Sequence, residues 1–253
     1  MIKQLALIGM ATALTALAAP QEAAQSATLP KAETILDRYI EVTGGKAIYE
    51  KRTSEITTGT VELAAQGIKG SVTSYSAPPD KSYMTMDMEG VGKFEKGTAN
   101  GVAWDKNLMT GAHVESGEEK TQSLRDAAFN GLLNWRTLYA KAETVGAETV
   151  DGQECYKVVM TPVEGKPMTS YFQKKSGLVV KRSTIAVQQG SEIPMEVLVS
   201  DYKDFGGVLM PTKMIQKAMG QEIVMTIQSV KTNEEIPADK FDPPAEIKSL
   251  LKK

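Results

Sequence analysis

The sequence predicts an α+β protein, mainly antiparallel β, in which about ten or eleven strands form a curled, unclosed β-barrel, a half-barrel with a helical lid or plug. Short stretches of alternating apolar and polar residues follow one another, separated by glycine-containing turns. The clearest are Met195–Tyr202, Gly207–Lys217 and Glu222–Val230. One stretch with a helical period interrupts this series. A single open sheet with so many strands is expected to curl.

The first residues have the pattern of a secretory signal peptide. Lys3 precedes an apolar run from Leu5 to Ala19, which ends in small residues of the kind that a signal peptidase recognises. The run is shorter than the ~20 apolar residues that a membrane-spanning helix needs. We therefore predict that residues 1–27 are signal peptide and linker. Residues 28–253 are expected to form a single exported domain without a transmembrane segment.

Charge and cysteine content exclude several classes of protein. Lys and Arg number 29 against 31 Asp and Glu, so the chain offers no cationic surface for nucleic acid or an anionic membrane. The only cysteine is Cys155, so no internal disulfide can form. It lies in a predicted strand without an adjacent basic group, and we expect a small core residue and not an activated thiol.

The helical period appears in two regions. Residues 31–43 repeat apolar side chains at near-helical spacing, and Gly44-Gly45 would end that helix, with a short second helix over residues 46–51. Between Glu118 and Val145 the helical period returns and predicts one broken helix or two helices. Strands are expected to resume at Glu148–Val150. The sheet is thus predicted to be interrupted by a helical insertion.

The most regular strand is Tyr83–Met88, where Met84, Met86 and Met88 alternate with polar residues. Side chains two residues apart in a strand lie on the same face, so the three methionines face together. A flexible thioether surface accommodates alkyl ligands of varied shape. Each methionine could equally pack in the core beneath the helices, and the sequence leaves that alternative open.

Several phrases occur together and in order: RYIEVTGG at 38–45, NGVAW at 100–104, VDGQECYKV at 150–158, YFQKKSGL at 171–178 and DYKDFGGVLMPT at 201–212. Taken together, they resemble the bacterial LolA/LolB-like family of outer-membrane lipoprotein-carrier and sorting proteins. The resemblance covers the chain after the signal peptide, and all of these phrases belong to the scaffold. It implies a periplasmic protein, an unclosed barrel whose concave side holds acyl chains beneath a helical lid, and a role in lipoprotein transport.

On that plan the ligand-binding residues are apolar side chains of the concave face and the helical insertion. They are Met84, Met86, Met88, Trp104, Leu132, Leu133, Trp135, Met195, Met210, Met214 and Met225. Leu132, Leu133 and Trp135 are the candidates for the lid or plug, although an ordinary amphipathic helix packed on the sheet would look the same. We expect a monomer that binds lipid or lipoprotein acyl chains, exchanges them with a membrane-bound donor or acceptor protein, and needs no cofactor.

The residues for an enzyme or a metal site are sparse. His113 is the only histidine and lies in a turn-rich stretch without a second histidine or a cysteine nearby, so we predict a solvated loop residue and no metal site. No phosphate-binding loop, nucleophile elbow or His-Glu-x-x-His motif occurs. We predict a carrier and not an enzyme. A periplasmic lipid-sensing regulatory module of the same fold, and a hydrolase with unidentified carboxylates, remain as alternatives.

Overall fold

The computed structural model describes residues 28–108 and 110–252, which form one antiparallel sheet of 13 strands with five α-helices and a 3₁₀ turn. The strands are β1 (Glu55–Leu63), β2 (Ile68–Ala77), β3 (Lys81–Met88), β4 (Gly92–Ala99), β5 (Val102–Asn107), β6 (Gly111–Val114), β7 (Tyr139–Val150), β8 (Gln153–Pro162), β9 (Met168–Gln173), β10 (Val179–Gln188), β11 (Ser191–Phe205), β12 (Val208–Ala218) and β13 (Gln221–Thr232). The helices are α1 (Ala32–Val42), α2 (Lys46–Tyr49), α3 (Gly117–Asp126), α4 (Trp135–Leu138) and α5 (Ala245–Leu250), and the 3₁₀ turn covers Ala238–Phe241.

The strand order is β6-β5-β4-β3-β2-β1-β13-β12-β11-β10-β9-β8-β7. The sheet therefore consists of two meanders, β1–β6 and β7–β13, joined by the pairing of β1 with β13. The edge strands β6 and β7 are consecutive in the chain but lie at opposite edges of the sheet. The connection between them, residues 115–138, must cross the sheet, and it carries α3 and α4. This crossing is the physical reason why the helical insertion lies over one face.

The position of α3 shows how strongly the sheet curls. This helix contacts both β5 and β10, which are eight strand spacings apart in the sheet order. In a flat sheet that separation would be about 38 Å, because neighbouring strands lie roughly 4.8 Å apart. A ten-residue helix is only about 15 Å long and about 10–12 Å across. The sheet must therefore curl towards α3, and the face beneath α3 is the concave face.

Helix α1 packs on the concave face over β7–β11. Its buried side chains include Ile35, Leu36, Tyr39 and Ile40, at the spacing that puts residues on one side of a helix. They share a core with Val158, Met160 and Phe172 of β8 and β9 and with Trp135 and Tyr139 of the α4 region. Burial of these apolar groups is the main term that holds the helices on the sheet.

The chain reverses tightly after α1, where Gly44 (φ +138°) lies against the β11–β12 turn. A Cβ added to Gly44 would lie 2.5 Å from the carbonyl oxygen of Gly207. The backbone amide of Leu209 also donates a hydrogen bond to the carbonyl of Thr43 at 2.9 Å. The glycine in this position is thus required by both the backbone conformation and the close approach of the two segments.

The C-terminal residues cover the opposite, convex face over β3–β6. The 3₁₀ turn contacts β3 and β4, and α5 contacts β6. Lys240 Nζ lies 4.8 Å from the ring centroid of Tyr75, and Tyr83 and Trp104 have ring centroids 6.1 Å apart on the same face. Phe241 and Ile247 are buried there. This part of the sheet has its apolar core on the convex side.

The predicted fold class is confirmed, with 13 strands where about ten or eleven were expected. One extra strand is β6 (Gly111–Val114), in the stretch interpreted as a loop. The helical prediction up to Val145 was wrong, because β7 begins at Tyr139. Leu138 and Tyr139 continue the apolar spacing of the helix, but Thr144 and Val145 are β-branched and pair in the ladder with β8 or border its bulge.

The predicted signal peptide and linker, residues 1–27, lie outside the described residues. Within residues 28–108 and 110–252, no helix is long and apolar enough to cross a membrane.

Candidate ligand-binding cavity

A continuous row of side chains crosses the concave face through six neighbouring strands. Each member lies directly opposite the next in the antiparallel register, and directly opposed residues share a face. The row runs Met88–Gly70–Val61–Met225–Met214–Val199. We call it the methionine row. Val199 at its end packs against the core beneath α1, so the methionine row and α1 lie on the same, concave face.

The other predicted methionines extend this face. Met84 and Met86 lie two and four residues before Met88 on β3, and Met195 lies four residues before Val199 on β11, so alternation places all three on the concave face. Met86 is flanked across the ladder by Val72 and Phe94. Met84, Met86 and Met195 are only half-buried. Met84, Met86 and Met88 on β3 thus form an apolar wall, which we call the methionine wall, and part of the surface of Met84 and Met86 is accessible.

On the same concave face, a cavity of about 400 Å³ lies between the helical segment 122–138 and strands β9–β11. Its apolar lining includes Leu132, Leu138, Met168, Met195 and Val197. Ligand pockets in proteins commonly measure about 300–1,000 Å³ and combine an apolar wall with a few polar groups. The size and the lining thus suit an apolar or amphipathic small molecule.

Arg182 on β10 is the most informative polar residue of the cavity. Its ladder partners are Ser170 and Val197, and it lines the cavity on the concave face. Its Nε is buried and has no hydrogen-bond partner within the described residues, and the same holds for Ser170 Oγ. Buried donors without partners are costly, so they mark a place where a ligand oxygen would be favourable.

The other charged groups of the cavity are partly engaged. Arg125 Nη1 donates a hydrogen bond to the carbonyl of Glu164 at 3.0 Å, whereas Arg125 Nε lies 3.8 Å from Asp126 Oδ1 and is, like Arg182 Nε, buried without a hydrogen-bond partner among the described residues. Burial raises the pKa of Tyr139 and of Tyr202, so both phenols stay neutral at physiological pH. Arg182 and Arg125 thus each present a buried Nε without a hydrogen-bond partner at this cavity, and Arg182 also has the unpartnered Ser170 Oγ beside it in the ladder.

Helix α3 is held over the concavity by a side-chain clamp. Gln122 Nε2 donates to the carbonyl of Ile185 at 3.0 Å, and Gln122 Oε1 accepts from the amide of Val187 at 2.9 Å. One amide side chain thus continues the hydrogen-bonding pattern of β10. The clamp attaches α3 to β10, which lies on the opposite side of the half-barrel from β5.

The predicted ligand-binding residues divide into four groups. Met84, Met86, Met88, Met195, Met214 and Met225 lie on the concave face, and Leu132 lines the cavity. Trp135 is buried in the core beneath α1, with Leu133 packed against that core. Trp104 and Tyr83 both lie directly opposite Gly97 in the ladder, so Trp104 shares the convex face with Tyr83. Trp104 is also fully buried. Met210 pairs with Lys203, beyond the part of β12 that pairs with β13.

The interpretation of His113 as a solvated loop residue was wrong. His113 lies on β6, is half-buried, and its Nε2 is 3.1 Å from Glu119 Oε2. Asp105 lies directly opposite His113 in the ladder. The three side chains converge although they are eight and six residues apart in sequence, because a hairpin and the start of α3 bring them together.

The comparisons with known proteins agree with this geometry at the level of the fold. A crystal structure of a DUF1329 family protein from Desulfovibrio piger is 14% identical with a TM-score of 0.56, covering 83% of this chain and 97% of that one. A LolA superfamily protein from Nitrosomonas europaea is 12% identical with a TM-score of 0.56, covering 85% and 99%. An outer membrane lipoprotein-sorting protein domain from Vibrio parahaemolyticus is 14% identical with a TM-score of 0.54, covering 88% and 100%.

At this level of identity these likenesses show the fold alone, and the fold is LolA-like. No curated protein matches the sequence. A family model described as a domain of unknown function, DUF4412, matches residues 119–247, about half of the chain and all of the strands β7–β13. On that match, the chain belongs to the DUF4412 family.

Proposed function

We propose that this protein is a periplasmic carrier that binds the acyl chains of lipoproteins, or of another lipid, in the concavity of the half-barrel. The observation that carries the proposal is the cavity of about 400 Å³, whose lining includes the half-buried Met195 on the same concave face as the β3 methionines. The shared fold with a lipoprotein-sorting domain supports the same function. In this proposal the protein is a carrier and not an enzyme, and the described residues that line the cavity serve as binding groups.

The physical basis of binding is the transfer of methylene groups from water to the apolar wall. Each buried methylene contributes about 0.8 kcal/mol. Two further methylenes should therefore tighten binding by roughly tenfold, as long as the chain still fits the concavity. Methionines suit this task because their flexible side chains can follow chains of different length and unsaturation.

We assign the head of the lipid to Arg182. Its unpartnered Nε and the neighbouring Ser170 Oγ can donate hydrogen bonds to oxygen atoms, such as the ester carbonyls of a lipoprotein or the carboxylate of a fatty acid. The acyl chain would then extend from Arg182 along Met195 and Val197 towards the methionine row. This orientation places the polar end of the ligand near the helical cover.

The central experiment is a binding series with fluorescent or radiolabelled fatty acids of increasing chain length. We expect affinity to rise with length up to a limit, and native mass spectrometry should show lipid co-purifying with the protein. Met86→Glu should weaken binding strongly, because a carboxylate in the wall opposes an acyl chain. The control is Met219→Glu, since Met219 is 78% exposed in the turn after β12. Equal affinities for both variants and the wild type would refute the carrier proposal.

A second experiment tests the position of the head. Arg182→Gln should reduce the preference for a fatty acid over the alcohol of the same length, while leaving the dependence on chain length unchanged. The matched control is Lys181→Gln on the adjacent position, where Nζ already pairs with Glu196 Oε1 at 2.6 Å. An unchanged preference in Arg182→Gln would show that the head lies elsewhere.

Export and partners form the remaining part of the proposal. If residues 1–27 direct secretion, N-terminal sequencing of protein from the periplasmic fraction should begin near the end of that segment. We propose a monomer that exchanges lipid with a membrane-bound donor or acceptor protein. Crosslinking in membranes from the source bacterium, with and without bound lipid, would test that exchange.

A further inference from the structure

A cluster of metal-binding atoms lies outside the lipid cavity. Asp105, His113 and Glu119 each offer one ligand atom, and these three atoms all lie within 4.8 Å of one another. The closest pair is His113 Nε2 and Glu119 Oε2, at 3.1 Å. Within residues 28–108 and 110–252, this is the one group of three or more such side chains.

Three different elements hold the cluster. Asp105 on β5 and His113 on β6 are direct partners in the hairpin ladder, so both side chains lie on the concave face. Glu119 is the third residue of α3, which packs across β5 from above. Side chains fixed by a strand pair and a helix are positioned before any ligand binds, as a metal site requires.

The charges around the cluster favour a cation. Glu115 follows β6, and its side chain is 1% exposed, with Oε1 3.1 Å from Lys96 Nζ. Its other oxygen, Oε2, is buried and has no hydrogen-bond partner among the described residues. Lys96 lies directly opposite Asp105, so Glu115 belongs to the same group. Three carboxylates therefore face one ammonium group, and a divalent cation would balance the excess negative charge.

The cluster is also open on one side. A cleft of about 620 Å³ is lined by His113, Glu119 and Ser116 and by the β10–β11 turn around Gln189. The side chain of His113 is 27% exposed and that of Glu119 is 9% exposed. A metal ion at this place could therefore keep water molecules in its free coordination positions, as ions with three protein ligands do.

We propose that Asp105, His113 and Glu119 bind a divalent transition-metal ion, with Zn²⁺ as the best match. An imidazole with two carboxylates is a typical nitrogen and oxygen ligand set for Zn²⁺, whereas Ca²⁺ and Mg²⁺ prefer oxygen ligands alone. Zinc–ligand bonds of about 2.0–2.2 Å in a tetrahedron put ligand atoms roughly 3.3–3.5 Å apart. The His113–Glu119 separation of 3.1 Å is slightly below that range, and the third atom, from Asp105, lies within 4.8 Å of both, so small side-chain shifts would complete the geometry.

Such an ion would join the helical cover to the edge of the sheet. Glu119 and Gln122 are one turn apart on α3, and Gln122 clamps the helix to β10. With the ion bound, α3 is fixed at both β5 and β10. The inference is independent of the carrier function, because it concerns ion binding and the attachment of α3, whatever the cavity binds.

The single histidine of the chain makes the test direct. In untagged, ¹⁵N-labelled protein freed of metal, every imidazole nitrogen signal belongs to His113. Titration with ZnCl₂ should shift the Nε2 resonance and saturate at one equivalent, and CaCl₂ should not. Zn²⁺ at about a hundredfold excess over Kd should also raise the Tm by roughly 5 °C.

Three variants identify the ligands by calorimetric titration with Zn²⁺. His113→Ala, Asp105→Asn and Glu119→Gln should each weaken binding at least about tenfold, the loss seen even for the outer partners of metal ligands. The control is Glu118→Gln, which lines the same cleft without belonging to the cluster and should bind as the wild type does. Circular dichroism of each variant checks the fold, and the wild-type titration decides the question if a variant is unfolded.

The proposal is wrong if His113 resonances do not move at millimolar Zn²⁺. It is also wrong if Asp105→Asn and Glu119→Gln bind as tightly as the wild type. Equal loss of binding in Glu118→Gln would place the ion in the cleft and not at the cluster.

Discussion

The two halves of this sheet are packed on opposite faces. Strands β7–β11 are covered on the concave side by α1 and the α4 region, whereas β3–β6 are covered on the convex side by the C-terminal residues 238–250. The same concave face therefore changes character along the sheet. It is a packed core at one end, whereas at the other end Met84 and Met86 of the methionine wall are half-buried beside the buried Met88.

Two methionines show what the difference means. Met160 on β8 is fully buried beneath α1, while Met86 on β3 is half-buried on the same face. Packing against Trp104 and Phe241 stabilises β3–β6 on the convex side, and on the concave side α3 contacts β5. Met84 and Met86 on β3 remain half-buried there, so part of their surface is accessible. The sequence alone cannot distinguish the buried core methionine from the half-buried one, because both lie on the same face of a predicted strand.

The largest expected effect separates the core from the wall. Met160→Ala should reduce the free energy of unfolding by about 2–5 kcal/mol, because it leaves a cavity in a packed core. Met86→Ala removes the same atoms from a half-exposed site and should cost clearly less. Urea denaturation of both variants measures the two values. Equal costs would mean that the wall is as tightly packed as the core, and the comparison between the halves would fail.

The second effect concerns the contact that holds α1 on the sheet. Gly44→Ala should cost about 1–3 kcal/mol, since φ is +138° and the added Cβ meets the carbonyl of Gly207. Gly146→Ala is the control, because no atom lies within 4 Å of its added Cβ and its φ is not positive. In thermal unfolding, the Tm of Gly146→Ala should be equal to or above that of the wild type. A stable Gly44→Ala variant would contradict the described path of the chain after α1.

The third effect belongs to the convex side of β3 and β4. Burial raises the pKa of Glu95, but hydrogen bonds from Tyr83 and Lys93 outweigh burial, so the pKa of Glu95 lies below its usual value. Tyr83 Oη donates to Glu95 Oε1 at 2.6 Å, and Tyr83→Phe should cost about 1–2 kcal/mol at pH 7.

The pH dependence of that cost follows from the lowered pKa. A carboxyl with a lower pKa in the folded state contributes stability above its unfolded pKa of about 4.3, and this contribution is lost as pH falls through the folded value. The difference between wild type and Tyr83→Phe should therefore shrink below about pH 4. A difference that stays constant from pH 7 to pH 3 would show that Glu95 is not the partner that matters.

Local patterns in the sequence were sufficient for the fold and for part of the candidate site. Alternation placed Met84, Met86 and Met88 on one face, and the interrupted series of strands predicted the half-barrel. The burial of Arg182 Nε without a hydrogen-bond partner could not be predicted, because it depends on the ladder around β10 and on the helical cover above it. Trp104 was misplaced because face assignment across β3–β5 depends on register, and a shift by one residue reverses it.

The acid–histidine cluster was missed for a related reason. Its members lie on strand β5, on the edge strand β6 and on helix α3. Strand β6, which carries His113, is only four residues long. Short strands give a weak periodic signal. A hairpin prediction across residues 102–114 would have brought Asp105 and His113 together, but Glu119 depends on how α3 crosses the sheet.

The smallest effect on stability is also the sharpest test of the methionine wall. Met86→Leu nearly conserves volume, and at a half-exposed position it should cost well under the ~1.5 kcal/mol typical of such exchanges in a core. The branched side chain cannot follow a ligand as the thioether does, so the range of acyl chain lengths that bind should narrow while the fold is unchanged. Met160→Leu, with the same exchange in the core, should leave the ligand range as it is. If both variants bind every chain length like the wild type, Met86 does not contact the ligand, and the methionine wall is only the inner surface of the sheet.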